Sequence, residues 1–573
     1  VGILKKLFGD RRNFIYLFLL LSAAVIFVAK RACMFPALRE QLPPSYAYDS
    51  MYYWTTARMM HAGAAPYSGV FDYKPPLWFF TNLWGYRLSG HLFFNNYASL
   101  LMLAAIAGVP VAFLGAHMRR KSKVYKIELA KKRYLDRHLL FKLAVLTLSL
   151  LFCAYIMMFT VHRGEFVQPE IFASAYAVVF ASILAFRENL TLRSPYTYIA
   201  ALFAALAVLT KEPYVLILIA LCGIFAKGFK GFWNNVIIML IAAALCALFM
   251  LCTGTLLPLF QIYFPIVFGF KSDSLKYLVA NLPVYKQHVS VYMMVSCCIL
   301  LGNLLLFSKK NPYLLVRLLC ALFLLIYTVS TGSWYFGHHF LFLVPVVIGL
   351  YLFSVRQWAD GVIDPAPALP VREGPVPRIE IRLFRGRAEP QREHKLTIRL
   401  GWTAFSRTLR KWMRRIYLPL SVVFVSVFLF LSMNPHYRRR EEWGFNYDNL
   451  VANAAYVDAL LSCVGEDASY IALSAVNPQD GFAGCTEYPP LGPIFFSHVG
   501  EGMFPWEEHW TSVQFKQQLE QADVYFWHPY DFYASLDAYV NEYLAENFTT
   551  EPPAGVAEPP ASFGEFVVYY RLK

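Results

Sequence analysis

Apolar residues in this chain fall in long unbroken runs, separated by short polar stretches, until the last quarter, where the pattern changes. Eleven runs lie near 13–29, 96–116, 139–160, 169–186, 196–210, 212–228, 234–257, 289–307, 313–331, 339–354 and 417–432. Most approach the roughly 20 residues that carry a helix across a bilayer core. The pattern predicts a polytopic α-helical membrane protein with about 11 transmembrane helices. The fifth and sixth runs are short enough to form a re-entrant pair. The first is followed by "KRACMFP" rather than a small-residue cleavage site, so it reads as a retained span.

Between and after these runs the chain divides. Residues 1–354 form a transmembrane body, with a first outer loop over 30–95. Residues 355–416 form a Pro- and Arg-rich insertion in which "DPAPALP" and "EGPVP" oppose regular structure. Within it "IEIRLF" and "HKLTIRL" alternate apolar and polar positions, which suits a small hairpin. A final span over 417–432 leads to 433–573. There "DNLVANAAYVDALLSCV", "SVQFKQQLEQA" and "YDFYASLDAYVNEYL" read as helices. "ASYIALSAV", "PIFFSHV", "DVYFWHP" and "FGEFVVYYRLK" read as strands, together predicting a small α/β domain.

Composition agrees with the pattern: of 573 residues 58% are apolar and 16% charged, against about a quarter charged in soluble domains. The net charge of +15 resolves when mapped. "KKLFGDRR", "RRKSKVYKIELAKKR", "KGFKG", "SKK" and the 355–416 segment all fall on one side if the spans alternate. That side is cytoplasmic by the positive-inside rule, so the charge sets topology and meets lipid headgroups rather than nucleic acid. The other side carries loop 30–95 and the 433–573 domain. Cys463 and Cys485 lie there, either as a disulfide or as two free thiols. The chain opens on Val; a GTG start codon read literally would give this, as would an artificial chain boundary.

Unusual polar residues recur at the outer ends of the spans. Asp49 begins a segment with Tyr53, Ala57 and Met60 on one helical face and Thr56 and Arg58 elsewhere, a short amphipathic helix suited to the interface. Gly63, Pro66 and Gly69 end it, and "KPPLWFF" from Lys74 opens a second. Arg163, Glu165 and Glu170 collect where the third span ends and the fourth begins. Lys211 and Glu212 separate the fifth and sixth, and His338 and His339 precede the tenth. Each has a structural explanation on its own: Asp49 and Glu170 as acids at helix N-termini, Lys74 in a stiff turn, Lys211 and Glu212 in a salt-bridged helical hairpin. Adjacent histidines on a helix diverge by about 100°, which disfavours joint metal ligation. Taken together these residues describe one outer-leaflet site.

The first outer loop, "D…Y…A…G..PY…D.KPPL" from Asp49 to Leu77, resembles membrane glycosyltransferases of the GT-C fold. The nearest likeness is to lipid A aminoarabinose transferases and protein O-mannosyltransferases. "QPEIF", "LTKEP" and "GHHFLFLVP" are similar to the family's later motifs, with Glu212 in place of a glycine and His339 in place of a tyrosine. The second adjacent acid that many mannosyltransferases carry is here Ser50. The resemblance implies a GT-C-like body and a sugar donor on a polyprenyl phosphate. It also implies an acceptor hydroxyl or phosphate on a glycan, lipid or protein, and a periplasmic active site in a bacterial inner membrane.

The implied chemistry is inversion with Asp49 as base. Lys74, Lys211, Arg58 and Arg163 then hold the donor phosphate, and Glu170, Glu165, His338 and His339 orient the acceptor. Lysines on the phosphate make a divalent metal or other cofactor unnecessary. The rival readings are a lipid-linked sugar transporter or flippase and, in a third class, a sensor or assembly scaffold. The chain has neither the internal repeats nor the glycine-broken central helices expected of the former.

Overall fold

Prolines mark where several helices begin. Pro76, Pro169 and Pro195 each occupy a first helical position, where the missing N–H is no loss and the fixed φ is already helical. The computed structural model describes residues 49–70, 74–89, scattered helical positions between 98 and 117, 168–187, 190–226, 228–265, 291–307, 313–330, 342–363, 378–382, 395–399, 416–431, 447–472, 482–483, 485–491, 517–527, 542–564 and 566–572.

The first loop supplies α1 (Asp49–His61) and α2 (Pro76–Ser89), which pack on each other. Six long helices come next: α3 (Pro169–Phe186), α4 (Pro195–Thr210), α5 (Tyr214–Phe225), α6 (Phe229–Cys252), α7 (Val291–Phe307) and α8 (Tyr313–Ser330). α9 (Leu343–Ile363), the hairpin strands β1 (Arg378–Arg382) and β2 (Lys395–Arg399), and α10 (Leu418–Leu431) complete this part. Eight expected spans thus meet a helix. The runs near 13–29 and 139–160 lie outside the described residues, and 96–116 is described only at scattered helical positions.

α3 is the centre, packing against α4, α5 and α9. Ala173, Ala177, Ala181 and Ala185 recur every fourth residue along it, all fully buried. A row of methyl groups lets backbones approach closely. Gly349 of α9 serves the same end, since a Cβ there would stand 2.7 Å from Leu221 Cδ2. α3 and α6 are each long and apolar enough to cross a membrane, but they sit differently: 94% of the apolar window of α3 is buried, and 17% of that of α6. α6 turns Trp233, Leu240, Leu248 and Leu251 outward, and Leu315, Leu319, Leu322 and Ile326 form an exposed stripe along α8. Large apolar exteriors of this kind suit lipid rather than water.

Hydrogen bonds show that the helices alternate in direction. At one end Arg356 of α9 donates to Ala185 O at the close of α3 at 2.5 Å, and Arg317 of α8 donates to Ala226 O after α5 at 2.5 Å. Arg187, just past α3, lies 3.7 Å from the Tyr196 ring centroid at the start of α4. At the other end Lys211, closing α4, meets Glu170, opening α3, and Tyr327 near the end of α8 donates to Pro213 O before α5 at 3.0 Å. α10 belongs to this bundle: Asn303 of α7 donates through Nδ2 to Ser354 Oγ of α9 at 3.2 Å and to Ser421 Oγ of α10 at 3.0 Å.

Two expectations need correction. The span expected at 339–354 is a helix running on to Ile363, so the insertion after 354 begins helical. Apolarity sets how far a span reaches into lipid, whereas backbone hydrogen bonding continues beyond it. And α1 is not a half-exposed interfacial helix: Thr55, Thr56 and Arg58 on its polar side are as buried as Tyr53 and Ala57. Protein covers both faces. In the insertion β1 and β2 pair antiparallel, with Arg378 opposite Arg399 and Arg382 opposite Lys395, as the alternation predicts.

The C-terminal segment forms α11 (Tyr447–Val464) and a sheet of β3 (Tyr470–Ala472), β4 (Val524–Trp527), β5 (Phe548–Thr549) and β6 (Val567–Arg571) in the order β3-β4-β6-β5. β3 and β4 are parallel, and β6 runs antiparallel to both β4 and β5. Phe482, Phe526 and Phe563 meet at its core, each pair of centroids under 6 Å apart. The strand expected at "PIFFSHV" lies outside the described residues. Cys463 and Cys485 are free thiols rather than a disulfide.

Candidate functional site

The end of the bundle where α3 begins and α4 closes gathers most of the described candidate residues. Glu170 sits in the first turn of α3, behind Pro169, where the helix N-terminus favours an anion. Lys211 is the C-cap of α4, its N–H returned to Ala207 O at 2.9 Å. The Lys211 Nζ to Glu170 Oε1 distance is 2.8 Å, and Glu170 is 1% exposed. Glu212 and Pro213 then turn the chain into α5, so the fifth and sixth runs form a helical hairpin pinned by this pair. The sequence predicts a hairpin salt-bridged at Lys211 and Glu212; the ion pair at this turn runs from Lys211 to Glu170 of α3, the preceding helix.

Tyr214 extends this cluster. Its hydroxyl lies 2.6 Å from Ser174 Oγ and donates to the Glu170 carbonyl at 3.1 Å. Its ring lies 5.1 Å from Phe342, three residues beyond His339. Ser174 is one helical turn from Glu170, a spacing visible in sequence. The inward turn of Tyr214 was not, because a Tyr opening an apolar run reads equally well as an interfacial anchor.

The first loop approaches α3 through aromatic rings. Lys74 Nζ lies 5.8 Å from the Tyr53 ring centroid, close enough for a cation–π contact. Tyr53 meets Trp78 edge-on at 5.0 Å, and Trp78 meets Phe172 at 5.3 Å. Phe172 follows Glu170 by two residues on α3, so the rings of Tyr53, Trp78 and Phe172 join the Lys74 turn to the first turns of the helix that carries Glu170. Asp49 occupies the first position of α1, one turn before Tyr53.

Tyr67 fixes the Lys74 turn. It is fully buried, and its hydroxyl donates to Lys74 O at 2.8 Å. Its φ is +65°, a left-handed conformation that a bulky side chain rarely adopts. The ring is held by Phe79 at 5.1 Å and by Tyr263, which closes the separate short helical segment Leu259–Tyr263 beyond α6, at 5.6 Å. Such strain persists only where the surroundings over-determine it. The "PY" dipeptide marks a turn, but nothing in the sequence reveals that Tyr67 takes positive φ and clamps Lys74.

Arg58 points elsewhere. Its guanidinium donates to Ala483 O at 3.0 Å, to Glu487 O at 3.1 Å, to Thr486 Oγ1 at 3.4 Å and to the Thr486 carbonyl. It therefore faces the C-terminal unit. Burial is the main reason the Tyr470 hydroxyl and the Cys485 thiol there are held above their ordinary values, the latter pushed up to about 11, with Arg58 opposing the rise in both.

Arg163, Glu165, His338 and His339 lie outside the described residues. Among the described residues no three His, Cys, Asp or Glu side chains cluster as metal ligands would. Comparison with protein-family models, curated proteins and solved structures finds no match to the chain.

Proposed function

We propose that the chain is an integral membrane glycosyltransferase with a GT-C-like body of about 11 spans. It moves a sugar from a polyprenyl-phosphate donor to an acceptor hydroxyl or phosphate at the extracytoplasmic face. The C-terminal α/β unit lies on that face, and the arginine-rich ends of the bundle face the cytoplasm of a bacterial cell. The observation that carries the reading is the packing of Lys74, in its clamped turn, against the first turns of α3 through Tyr53, Trp78 and Phe172, with the buried Glu170–Lys211 pair at that same end of an apolar-surfaced bundle.

In this reading the acceptor oxygen attacks the anomeric carbon as the bond from that carbon to the phosphate oxygen breaks. The acceptor proton passes to the Asp49 carboxylate, and the electron pair leaves with the phosphate, inverting the centre. A base of this kind contributes about 10²–10⁴ in rate. Phosphate is already a good leaving group, so the larger demand is for charge on the departing oxygen. Lys74 meets it, its stem stiffened by Pro75 and Pro76, with Lys211 as second cation and Arg163 behind. Glu170 holds Lys211 in place, and Glu165, His338 and His339 flank the acceptor.

The test offers the purified protein in lipid a panel of polyprenyl-phosphate sugars, with cell-envelope extract as acceptor, and follows free polyprenyl phosphate. Release from one donor, dependent on acceptor, supports the reading. Saturable lipid binding with no release from any donor moves the assignment to a transporter.

A further inference from the structure

Arg58 is a buried cation whose described hydrogen-bond acceptors are all neutral, although the Asp458 carboxylate lies near enough to feel its charge. Among the described residues no carboxylate lies within ion-pair reach of it, and its acceptors are three backbone carbonyls and one hydroxyl. All belong to one loop more than 420 residues later in the chain. That loop is pre-shaped by its own unit. The Glu487 N–H donates to both Asp458 carboxylate oxygens at 2.9 Å. Thr486 Oγ1 donates to Tyr488 O at 2.7 Å and lies 2.8 Å from the Tyr470 hydroxyl. The carbonyls are thus fixed before Arg58 reaches them.

A planar fork with five donors can serve four such acceptors; a lysine ammonium, with three donors at one point, cannot. Burying a charge that makes its hydrogen bonds only to neutral groups is a poor way to gain stability, and the best-attested use of a buried charge is to fix register. Arg58 also sits on the helix that begins with Asp49, so whatever fixes Arg58 fixes the axis of α1 along about 1.5 Å per residue.

We infer that Arg58 is a positioning residue that latches the loop around Thr486 onto α1, making the C-terminal unit a fixed wall of the site and not a tethered accessory. The consequence for turnover rests on the transferase reading; the latch itself does not.

Hydrogen exchange of the full-length protein in lipid discs, read alongside donor turnover, tests this. Arg58→Lys should lose amide protection in both 49–61 and 485–491 while peptides of α3 and β4 keep theirs. Turnover should fall on the order of 10²-fold, as misplacement by about 1 Å can cause, through kcat and with donor KM little changed. Thr486→Ala, which keeps the carbonyl acceptors, should lose less protection in the same two segments. If Arg58→Lys also loosens α3 and β4, Thr486→Ala decides: coupled loss supports the latch, and unchanged exchange overturns it. Wild-type exchange in Arg58→Lys, or loss confined to 49–61, likewise overturns it. Coupled loss of protection in a protein that turns over no donor leaves the latch standing and removes the transferase reading.

Discussion

Lys211 and Glu170 form an ion pair of 2.8 Å at the junction of three buried helix ends, with little water to share either charge. Removing one partner of such a pair typically costs about 3–5 kcal/mol, because the other charge is left buried and alone, whereas replacing both by apolar or neutral groups is often nearly neutral. Lys211→Met and Glu170→Gln should each lower the apparent Tm in lipid discs, and the double variant should recover most of the loss. A double variant as unstable as the two losses added would show that the residues do not act as a pair.

Tyr67 offers a cleaner handle on the Lys74 turn. Tyr67→Phe removes only the hydroxyl that donates to Lys74 O, an expected loss of about 1 kcal/mol. Donor KM should rise in this variant with kcat held, since the phosphate cation is loosened and the base is untouched. Tyr67→Gly would relieve about 1–2 kcal/mol of left-handed strain. It also deletes a buried ring, worth about 3–5 kcal/mol when aromatic side chains are truncated. Packing therefore wins, and Tyr67→Gly should melt below Tyr67→Phe in the same assay.

The outcomes above separate what the sequence carried from what it did not. Apolar runs located the helices from α3 to α10 because a lipid-facing or buried helix needs unbroken apolar stretches, alternation located β1 and β2, and short apolar and aromatic segments located β3, β4 and β6. The Asp49 and Lys74 helices were legible from their Gly and Pro boundaries. The destination of a charge was not. Arg58 and Lys211 read alike as outer-face cations, yet one turns to the C-terminal unit more than 420 residues away and the other to Glu170 on the preceding helix, since pairing depends on tertiary neighbours. The positive φ of Tyr67 was equally hidden, because strain is imposed by packing and has no local signature.

Thiol chemistry checks the C-terminal unit. Cys463 is exposed, its Sγ turned to Gly555 O at 3.6 Å, while burial pushes the Cys485 thiol up to about 11. Thiolate is the reactive form, so alkylation at neutral pH without reductant should label Cys463 first and Cys485 only after unfolding. Peptide mapping by mass spectrometry reads this directly. Labelling of both only after reduction would mean that the two are joined.

Asp458 gives the unit a pH dependence of definite sign. Burial is the main cause raising its carboxyl above 3.8, with the Glu487 N–H and Arg58 opposing. A raised acid holds its proton more tightly folded than unfolded. Its contribution is therefore fully present below the unfolded value and is lost as pH rises through the folded one. Asp458→Asn should flatten the decline in stability of the C-terminal unit just above pH 3.8, measured as exchange of β3 and β4 peptides across that range. An unchanged slope would show that Asp458 is not the titrating group.

The most direct test of the account compares Asp49→Asn with the wild type for donor binding and donor turnover in the same lipid discs. The account predicts that the variant binds the polyprenyl-phosphate sugar as the wild type does, through Lys74 and Lys211, while turnover falls about 10²–10⁴-fold, the share a general base supplies. Turnover that survives the substitution would contradict the assignment of Asp49 as base, and with it the reading of the first outer loop as the catalytic floor.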